Sequence, residues 1–530
     1  MVEDYYNNGW LKRAGELELK DQIGENQRVA LQDMMLSPDE ENAYLAKEIM
    51  RLKISEALLD GLNEGQKKAF IQVVDFFRSD GFDAVILKGY AGTGKTFLVK
   101  RIIEYITTAY PNRKIAITAP TNKAVHVLNR NTPFGDNSAV FEEYNEPNSK
   151  IVYSTIHKLL GLKESISNTG VQSFVTGKDT DLTKYKYLIL DEVSMLNDDL
   201  FEKLMKFNDK VKFIFMGDPA QIPPINSEHC APFQDTCKYN LMRLELTEIM
   251  RQKGENAIVD NSMTLRQNLI KPEPIGKINT TLNSMGHGVI HMNAKTNRAM
   301  VRKVIEKLYR DPQYDQNTDF VKIIAWKNKT VAYLNNLVKE VIFGDKKKRF
   351  NIGDNLVANK ALFTRSKNEF KWSGNDMMYK IKANTSDEFN VTNVKIITRT
   401  FQESVKGSPK VNFTGDYYKL TTLNSLNETE ILYVLHEDFH KEFMETLIEM
   451  KQLATSKRSG AYWKMYYTML KWSDDIAYNY AITAHKSQGS TYQNVILIEE
   501  DLNANRKVVE RNRIKYTAYT RASQRVYILK

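Results

Sequence analysis

Lys95 and Thr96 end the run Gly89-Tyr90-Ala91-Gly92-Thr93-Gly94-Lys95-Thr96, a complete G-x-x-x-x-G-K-[ST] spacing. Gly89, Gly92 and Gly94, with Ala91 and Thr93 between them, let backbone N–H groups turn inward around phosphate oxygens. Lys95 supplies a positive charge for the β- and γ-phosphates, and Thr96 offers a hydroxyl to Mg²⁺. A glycine-rich turn with an incidental lysine is the alternative. The order of elements argues against it, because the apolar Ala84-Val85-Ile86-Leu87 precedes the loop and a helix-like stretch, Phe97 to Tyr105, follows. The expected ligand is a nucleoside triphosphate.

A triphosphate site needs acids for its metal and its water, and Tyr187-Leu188-Ile189-Leu190-Asp191-Glu192 ends an apolar strand in two carboxylates. Asp191 is placed to hold Mg²⁺ through water, and Glu192 to orient or deprotonate the attacking water. Charges at the carboxyl end of a parallel strand lie at the ligand crevice, which favours this reading over a surface turn.

These groups require a scaffold of parallel strands. Apolar segments alternate with helical patterns from Ala84 to about Thr247, and Lys114 to Ala119, Lys186 to Leu190 and Val211 to Met216 are the clearest further strands. Such alternation predicts a parallel sheet with helices on both faces. A second alternating region begins at Val321 to Ala325, with the helix-like Val331 to Ile342 behind it, and resumes at Ile476 to Thr483, Val495 to Glu499 and Val526 to Leu529. Between these parts, residues 345–475 read as a small β domain with a helical excursion. Its β-rich runs are Val391 to Thr398, Tyr417 to Thr422 and Ile431 to Leu435, and its helical stretches are Asp438 to Ala454 and Ala461 to Lys471. The charged first 60 residues are helical in pattern, amphipathic from Glu41 to Leu59, and carry no recognisable chemistry.

Composition bounds the partners. The 530 residues, 42% hydrophobic and 26% charged, suit a multidomain globular protein. The 75 basic against 65 acidic residues give a net charge of +10, which favours a polyanionic partner. Two cysteines, Cys230 and Cys237, exclude a disulfide scaffold and suit a reducing cytosol; with His229 beside them they lack the paired spacing of a zinc site. His436 and His440 share a helical face at i, i+4 and read as a solvated pair. No run approaches the ~18 apolar residues of a membrane span, so a cytoplasmic location without membrane contact is expected.

Further motifs follow in order: Leu62 to Gln66, Thr118 to Ala124, Ser154 to Leu159, Gly217 to Pro224, Leu246 to Gln252, Ala325 to Val331, Ala484 to Thr491 and Tyr516 to Ala522. In this order they resemble the motifs of superfamily 1 helicases, with the Dda-type phage helicases nearest and the RecD-like enzymes next. The resemblance implies an α/β fold of two RecA-like domains with parallel sheets, a β-hairpin pin insertion, and an inserted small β-barrel with a helical projection. It further implies ATP with Mg²⁺, Gln66 at the adenine edge, Gln221 at the γ-phosphate, Gly489 in a phosphate motif, and Arg251 and Arg521 as arginines on the transferring group. Such an arginine is worth roughly 10³ to 10⁵ in rate.

Pro120, Thr121, Asn122, Thr155, His157, Asn328, His485 and Lys486 fall in motifs the family uses for strand and phosphate contacts, and the short polar side chains of Thr121, Asn122, Thr155, Asn328 and Thr483 suit phosphate and sugar contacts. Thr121 and Thr155, at helix starts, are equally suited to be caps. Ser165 to Gly177 has the composition of a hairpin, and Phe174 lies where the family carries its strand-separating aromatic; a buried Phe is the alternative. Trp463 and Tyr467, at i, i+4, are placed either to brace that hairpin or to pack in a core, and no proline of the family pattern lies between Pro147 and Pro219.

The reading is an ATP-dependent helicase that moves on single-stranded DNA, 5′ to 3′ by resemblance, and opens fork DNA in replication or recombination, in a phage-like system in the host cytoplasm. A single-strand-binding protein or replisome component is a partner to expect. An RNA helicase and an ATPase that remodels protein–DNA complexes stay open as alternatives. The expected domains are a helical extension (1–60), the first ATPase domain (61–250, pin at 162–180), the second in two parts (251–344 and 476–530), and the insert (345–475).

Overall fold

The computed structural model describes residues 40–90, 92–131, 150–167, 169–176, 180–224, 227, 229–248, 257–269, 280–293, 298–344, 348–363, 381–404, 410–424 and 427–529. Contacts divide the chain into two units, one of Met1–Pro120, Ala124–Ile156 and Asp181–Lys253, the other of Thr121–Lys123, His157–Thr180 and Gly254–Lys530.

In the first unit six parallel strands form one sheet, in the order Ile151–Thr155, Ile115–Ala119, Tyr187–Leu190, Lys212–Gly217, Ala84–Gly89, Leu241–Leu246. The strand Ala84–Gly89 is nearly all apolar because helices cover both its faces, so its side chains alternate between two buried layers. The helix behind it runs Lys95–Ala109, two residues earlier than the apolar pattern alone predicts, because Lys95 and Thr96 form its first turn after Gly94 at φ +76°. Leu98, Ile102 and Ile106 of this helix are fully buried against the sheet. The helix Glu40–Ala57 adds Met50 and Ile54 to the same core. Fully burying a side chain such as Ile54 contributes about 1.5–3 kcal/mol, which gives the N-terminal segment a structural purpose.

In the second unit a six-stranded sheet has the order Ala481–Thr483, Val321–Ala325, Tyr492–Ile498, Ala522–Leu529, Gly288–Met292, Thr281–Leu282. Only Thr281–Leu282 is antiparallel. Gly288–Met292 and Thr281–Leu282 were not legible as strands. A second, fully antiparallel sheet of five strands comprises Thr429–Leu435, Val411–Asn424, Glu388–Glu403, Asn355–Ala358 and Ile476–Tyr478. Its two long strands extend beyond the expected runs because Thr and Lys alternate with apolar residues along one solvated face. The helices His440–Lys457 and Gly460–Leu470 pack Phe443, Leu447, Met465 and Met469 on Phe401, Phe413 and Tyr417 of this sheet.

Two expectations change. Ile476 to Thr483 is two strands in two sheets, because Asn479 and Tyr480 are drawn aside between them. Tyr480 donates its hydroxyl to Asp354 (2.7 Å) and its N–H to Asn335 (3.0 Å). His436 and His440 are not on one helix: His436 caps the short turn Glu437–Phe439 and stacks on Tyr418 (5.0 Å), and the helix starts at His440. Among the described residues no helix is long and apolar enough to cross a membrane.

Asp354, fully buried, also accepts from Lys339 Nζ (2.8 Å) and the Asn351 N–H (2.6 Å). Asp354→Ala strands a buried ammonium, so chemical denaturation is expected to show a loss of about 3–5 kcal/mol, against at most a small change for a surface carboxylate such as Asp438.

Candidate functional site

In the first unit the strands Tyr187–Leu190, Lys212–Gly217 and Ala84–Gly89 are adjacent, and past their carboxyl ends come Asp191 with Glu192, Gln221, and the loop carrying Lys95 and Thr96. This is where a parallel sheet offers its ligand crevice. Lys95 Nζ donates to the carbonyls of Gly89 (2.5 Å) and Tyr90 (3.3 Å), and Thr93 Oγ1 donates to Tyr90 O (2.8 Å). The loop is thus curled on its own lysine. A Cβ on Gly89 would fall 2.7 Å from Lys95 Cγ and 2.9 Å from Thr93 Oγ1. Gly92 and Gly94 have φ of +85° and +76°, the left-handed region where side chains are disfavoured. Ala91 lies outside the described residues.

Gln66 is fully buried with both ends of its amide engaged. Its Oε1 accepts the Asn63 N–H (3.1 Å), while Nε2 donates to the carbonyls of Thr93 (3.2 Å) and Gly94 (3.4 Å). With Asn63 Oδ1 accepting the Gln66 N–H, this is a capping box that also props the phosphate loop.

The acid pair sits on a strained turn. Glu192 has φ +53°, one of four positive values outside glycine among the described residues. That turn lets the Glu192 N–H donate to Asp191 Oδ1 (2.8 Å), while the Asp191 N–H donates to Thr118 O (2.9 Å). Gly217 makes room, since a Cβ there would meet Val193 Cγ1 at 2.8 Å. Burial pushes the Asp191 carboxyl above its ordinary range, opposed by the nearby Lys95 charge and the Glu192 N–H. Asp218, buried, accepts the Ala220 N–H (2.9 Å), and the Gln221 N–H donates to Asp218 O (3.2 Å), fixing the bend that carries buried Gln221. Thr96 and Asp191 offer hard oxygen donors, a set that suits Mg²⁺ completed by phosphate and water rather than by an all-protein cage. No group of three or more metal-ligating side chains occurs among the described residues.

In the second unit Arg521 is buried, its Nε donating to Thr517 O (3.0 Å) and one terminal nitrogen to Ser490 O (3.2 Å), next to Gly489 at φ +72°. Arg251 lies outside the described residues. Thr483 Oγ1 accepts the Lys486 N–H (3.3 Å), and Lys486 Nζ donates to Asn359 Oδ1 (2.7 Å). Burial holds the pKa of His157, His485 and Lys486 below their ordinary values, with Glu510 opposing it at His485 and Asp475 at Lys486. Asn328 is exposed at the start of Asn328–Phe343. In the first unit Pro120 directly follows the strand Ile115–Ala119, and buried Thr155 ends the strand Ile151–Thr155. Thr121 and Lys486 line a small pocket with Lys123, Ser386, Glu388, Ser490 and Tyr492. Asn122 donates through Nδ2 to both carboxylate oxygens of Asp387 (3.0 and 2.9 Å).

Lys163–Ile166 and Gln172–Val175 pair as an antiparallel hairpin with Phe174 opposite Glu164. Its turn residue Gly170, φ +82°, lies against the Trp463 ring, where a Cβ would come within 2.5 Å. Tyr467 donates its hydroxyl to Gly170 O (2.7 Å). Trp463 and Tyr467 are also buried, so the two readings of this pair coincide.

Sequence reasoning missed Asp387, Asn359 and Asp501. Asp501 accepts the N–H groups of Trp326 (2.7 Å) and Lys327 (2.8 Å) and the Thr330 hydroxyl (2.7 Å), shaping the turn before Asn328. The one available signal was an acid cluster, Glu499 to Asp501, directly after an apolar strand.

Comparison with known proteins gives two matching families, an AAA domain over residues 61–291 and a UvrD-like helicase C-terminal domain over residues 478–529. An uncharacterised protein of Acanthamoeba polyphaga mimivirus is 26% identical over 88% of this chain and 99% of its own length. The ATP-dependent DNA helicase dda of enterobacteria phage T4 is 29% identical over 57% of this chain and 62% of its own. The RecD subunit of the RecBCD enzyme of Buchnera aphidicola (Schizaphis graminum) is 23% identical over 84% and 70%. Among solved structures, Pif1 helicase from Candida albicans aligns over 88% of this chain and 94% of its own, with 15% identity and a TM-score of 0.43.

The cradle at Gly89 yields a direct test. Gly89→Ala pushes Lys95 off the loop, so triphosphate affinity is expected to fall about tenfold or more, the worth of a charge-assisted hydrogen bond. Titration with a fluorescent ATP analogue measures this, with circular dichroism confirming the fold.

Proposed function

We propose that this chain, which belongs to the superfamily 1 helicases of the Dda and RecD type, is an ATP-dependent DNA helicase that translocates on single-stranded DNA, 5′ to 3′, and separates forked duplexes. The observation that carries the reading is the placement of Lys95, Asp191 with Glu192, and Gln221 past three adjacent parallel strands. Lys95 neutralises the β- and γ-phosphates, Glu192 orients the attacking water, and Gln221 senses the γ-phosphate. Thr96 and Asp191 hold Mg²⁺, which when bound screens phosphate charge. Arg251 and Arg521 act on the transferring group.

In this reading the two parallel sheets belong to RecA-like domains, the five-stranded antiparallel sheet with its helices is the inserted small barrel and projection, and the hairpin at 163–175 is the separating pin. Thr121, Thr155, His157, Asn328, Thr483, His485 and Lys486 track phosphates and sugars, so binding is blind to sequence. The contact of Gly170 with Trp463 and Tyr467 supports a braced pin, since a wedge must resist the load of the duplex. Replication or recombination is the proposed setting.

The engine is tested by Lys95→Ala, expected to abolish ATP hydrolysis, and by Glu192→Gln, expected to bind ATP and DNA without turnover. Wild-type turnover by Glu192→Gln rejects the assigned role. Forks with a 5′ or a 3′ overhang, in DNA and RNA, test polarity and substrate class.

The pin is tested separately. Phe174→Ala is expected to slow unwinding sharply while DNA-stimulated ATPase and translocation stay near normal, because the lost stacking, about 1–3 kcal/mol, acts only at the junction. Tyr467→Phe, which removes the hydroxyl that donates to Gly170 O, is expected to show a milder form of the same split. Loss of all activities together with a lower melting temperature assigns Phe174 to a core instead.

A further inference from the structure

Acidic side chains beside a nucleic-acid track repel phosphate, so each requires a reason. Asp387 and Glu388 lie beside Thr121, Asn122 and Lys123 in the second unit. Asp387 is tightly held: its Oδ2 accepts the Asn384 N–H (2.8 Å), its carbonyl accepts the Ala358 N–H (2.9 Å), and the preceding Ser386 has φ +71°. The carboxylate then receives the Asn122 amide through both oxygens (3.0 and 2.9 Å). Lys123 Nζ donates to Glu388 (2.9 Å) and Asp319 (2.6 Å) and stands 4.9 Å from the centre of the Tyr492 ring. With two carboxylates on one ammonium, Lys123 has little charge left to offer a phosphate. The Asn122 donor is likewise committed. Thr121, at the start of the helix Asn122–Asn131, lines the same pocket as Lys123, Ser386 and Glu388, and backbone N–H groups at a helix start favour an anion.

We infer that Asp387 and Glu388 are positioning residues for the DNA strand: they clamp Asn122 and Lys123, and so fix Thr121 and the helix start against the phosphate track. The inference rests on the proposed helicase reading. It reverses the sign expected from charge alone, since removing an acid from a DNA-binding surface ordinarily tightens binding. Burial raises the Asp387 carboxyl to about 6, so at neutral pH the anion accepts from Asn122.

The test measures single-stranded DNA affinity of the full chain by fluorescence anisotropy with an unstructured oligonucleotide, for wild type, Asp387→Ala, Asp387→Asn, Asn122→Ala and the Asp387→Ala/Asn122→Ala double variant. Asp387→Ala is expected to weaken binding about tenfold, the scale of a lost hydrogen bond to a charged group, and to raise the DNA concentration for half-maximal ATPase while kcat at saturating DNA is retained. The double variant is expected to bind no worse than Asn122→Ala, because the acid acts through that amide. Asp387→Asn, which keeps an acceptor without the charge, is expected between wild type and Asp387→Ala and decides the matter if the alanine variant fails to fold. Unchanged or tighter binding by either Asp387 variant, or additive losses in the double variant, overturns the inference alone. Failure of the wild type to bind single-stranded DNA overturns the helicase reading and this inference with it.

Discussion

The nucleotide site depends on holding the Asp191 carboxylate beside the phosphate loop, where desolvation and the nearby Lys95 charge act on it in opposite directions. Burial works against the Asp191 charge, and Lys95 and the Glu192 N–H work for it. The geometry that supplies this help is costly, because a Glu at φ +53° is strained. It persists because the strands on either side are fully buried and because Gly217 leaves space for Val193. Lys95 is in turn held by carbonyls of its own loop, and that loop is propped by Gln66.

Much of this was legible in the sequence because it is local. A G-x-x-x-x-G-K-T run between an apolar strand and a helix, and an acid pair ending a second strand, each sit within about ten residues, and the periods of 2 and 3.6 mark the elements around them. What was not legible is long-range. Asn122 meets Asp387 across 265 positions, and Asp501 shapes the turn at Trp326 across 175. No composition or spacing rule carries such a partnership. Gln66 illustrates a subtler limit: its position in a motif was readable, but not that its amide is already engaged by Asn63, Thr93 and Gly94.

The strand expected at Ile476 to Thr483 failed for a different reason. Its apolar alternation is continuous through Tyr478 and Ile482, and nothing local says that the chain changes sheets. The change is imposed by polar side chains from elsewhere, Asp354 and Asn335, which bind the Tyr480 hydroxyl and N–H. Side chains thus decided a backbone path that propensity left open.

That change of sheet leaves no linker at this crossing. Only Asn479 and Tyr480, 1% and 0% exposed, separate Ile476–Tyr478 of the antiparallel sheet from Ala481–Thr483 of the parallel one. A linker yields under load by rotating about solvated bonds, and these bonds are neither solvated nor free. The hairpin turn bears on Trp463 and Tyr467, their helix ends at Leu470, and Asp474 exchanges hydrogen bonds with Tyr433 of the antiparallel sheet (2.6 and 2.7 Å). The hairpin turn and the parallel sheet of the second unit are thus joined through packed and hydrogen-bonded segments rather than through a solvated tether.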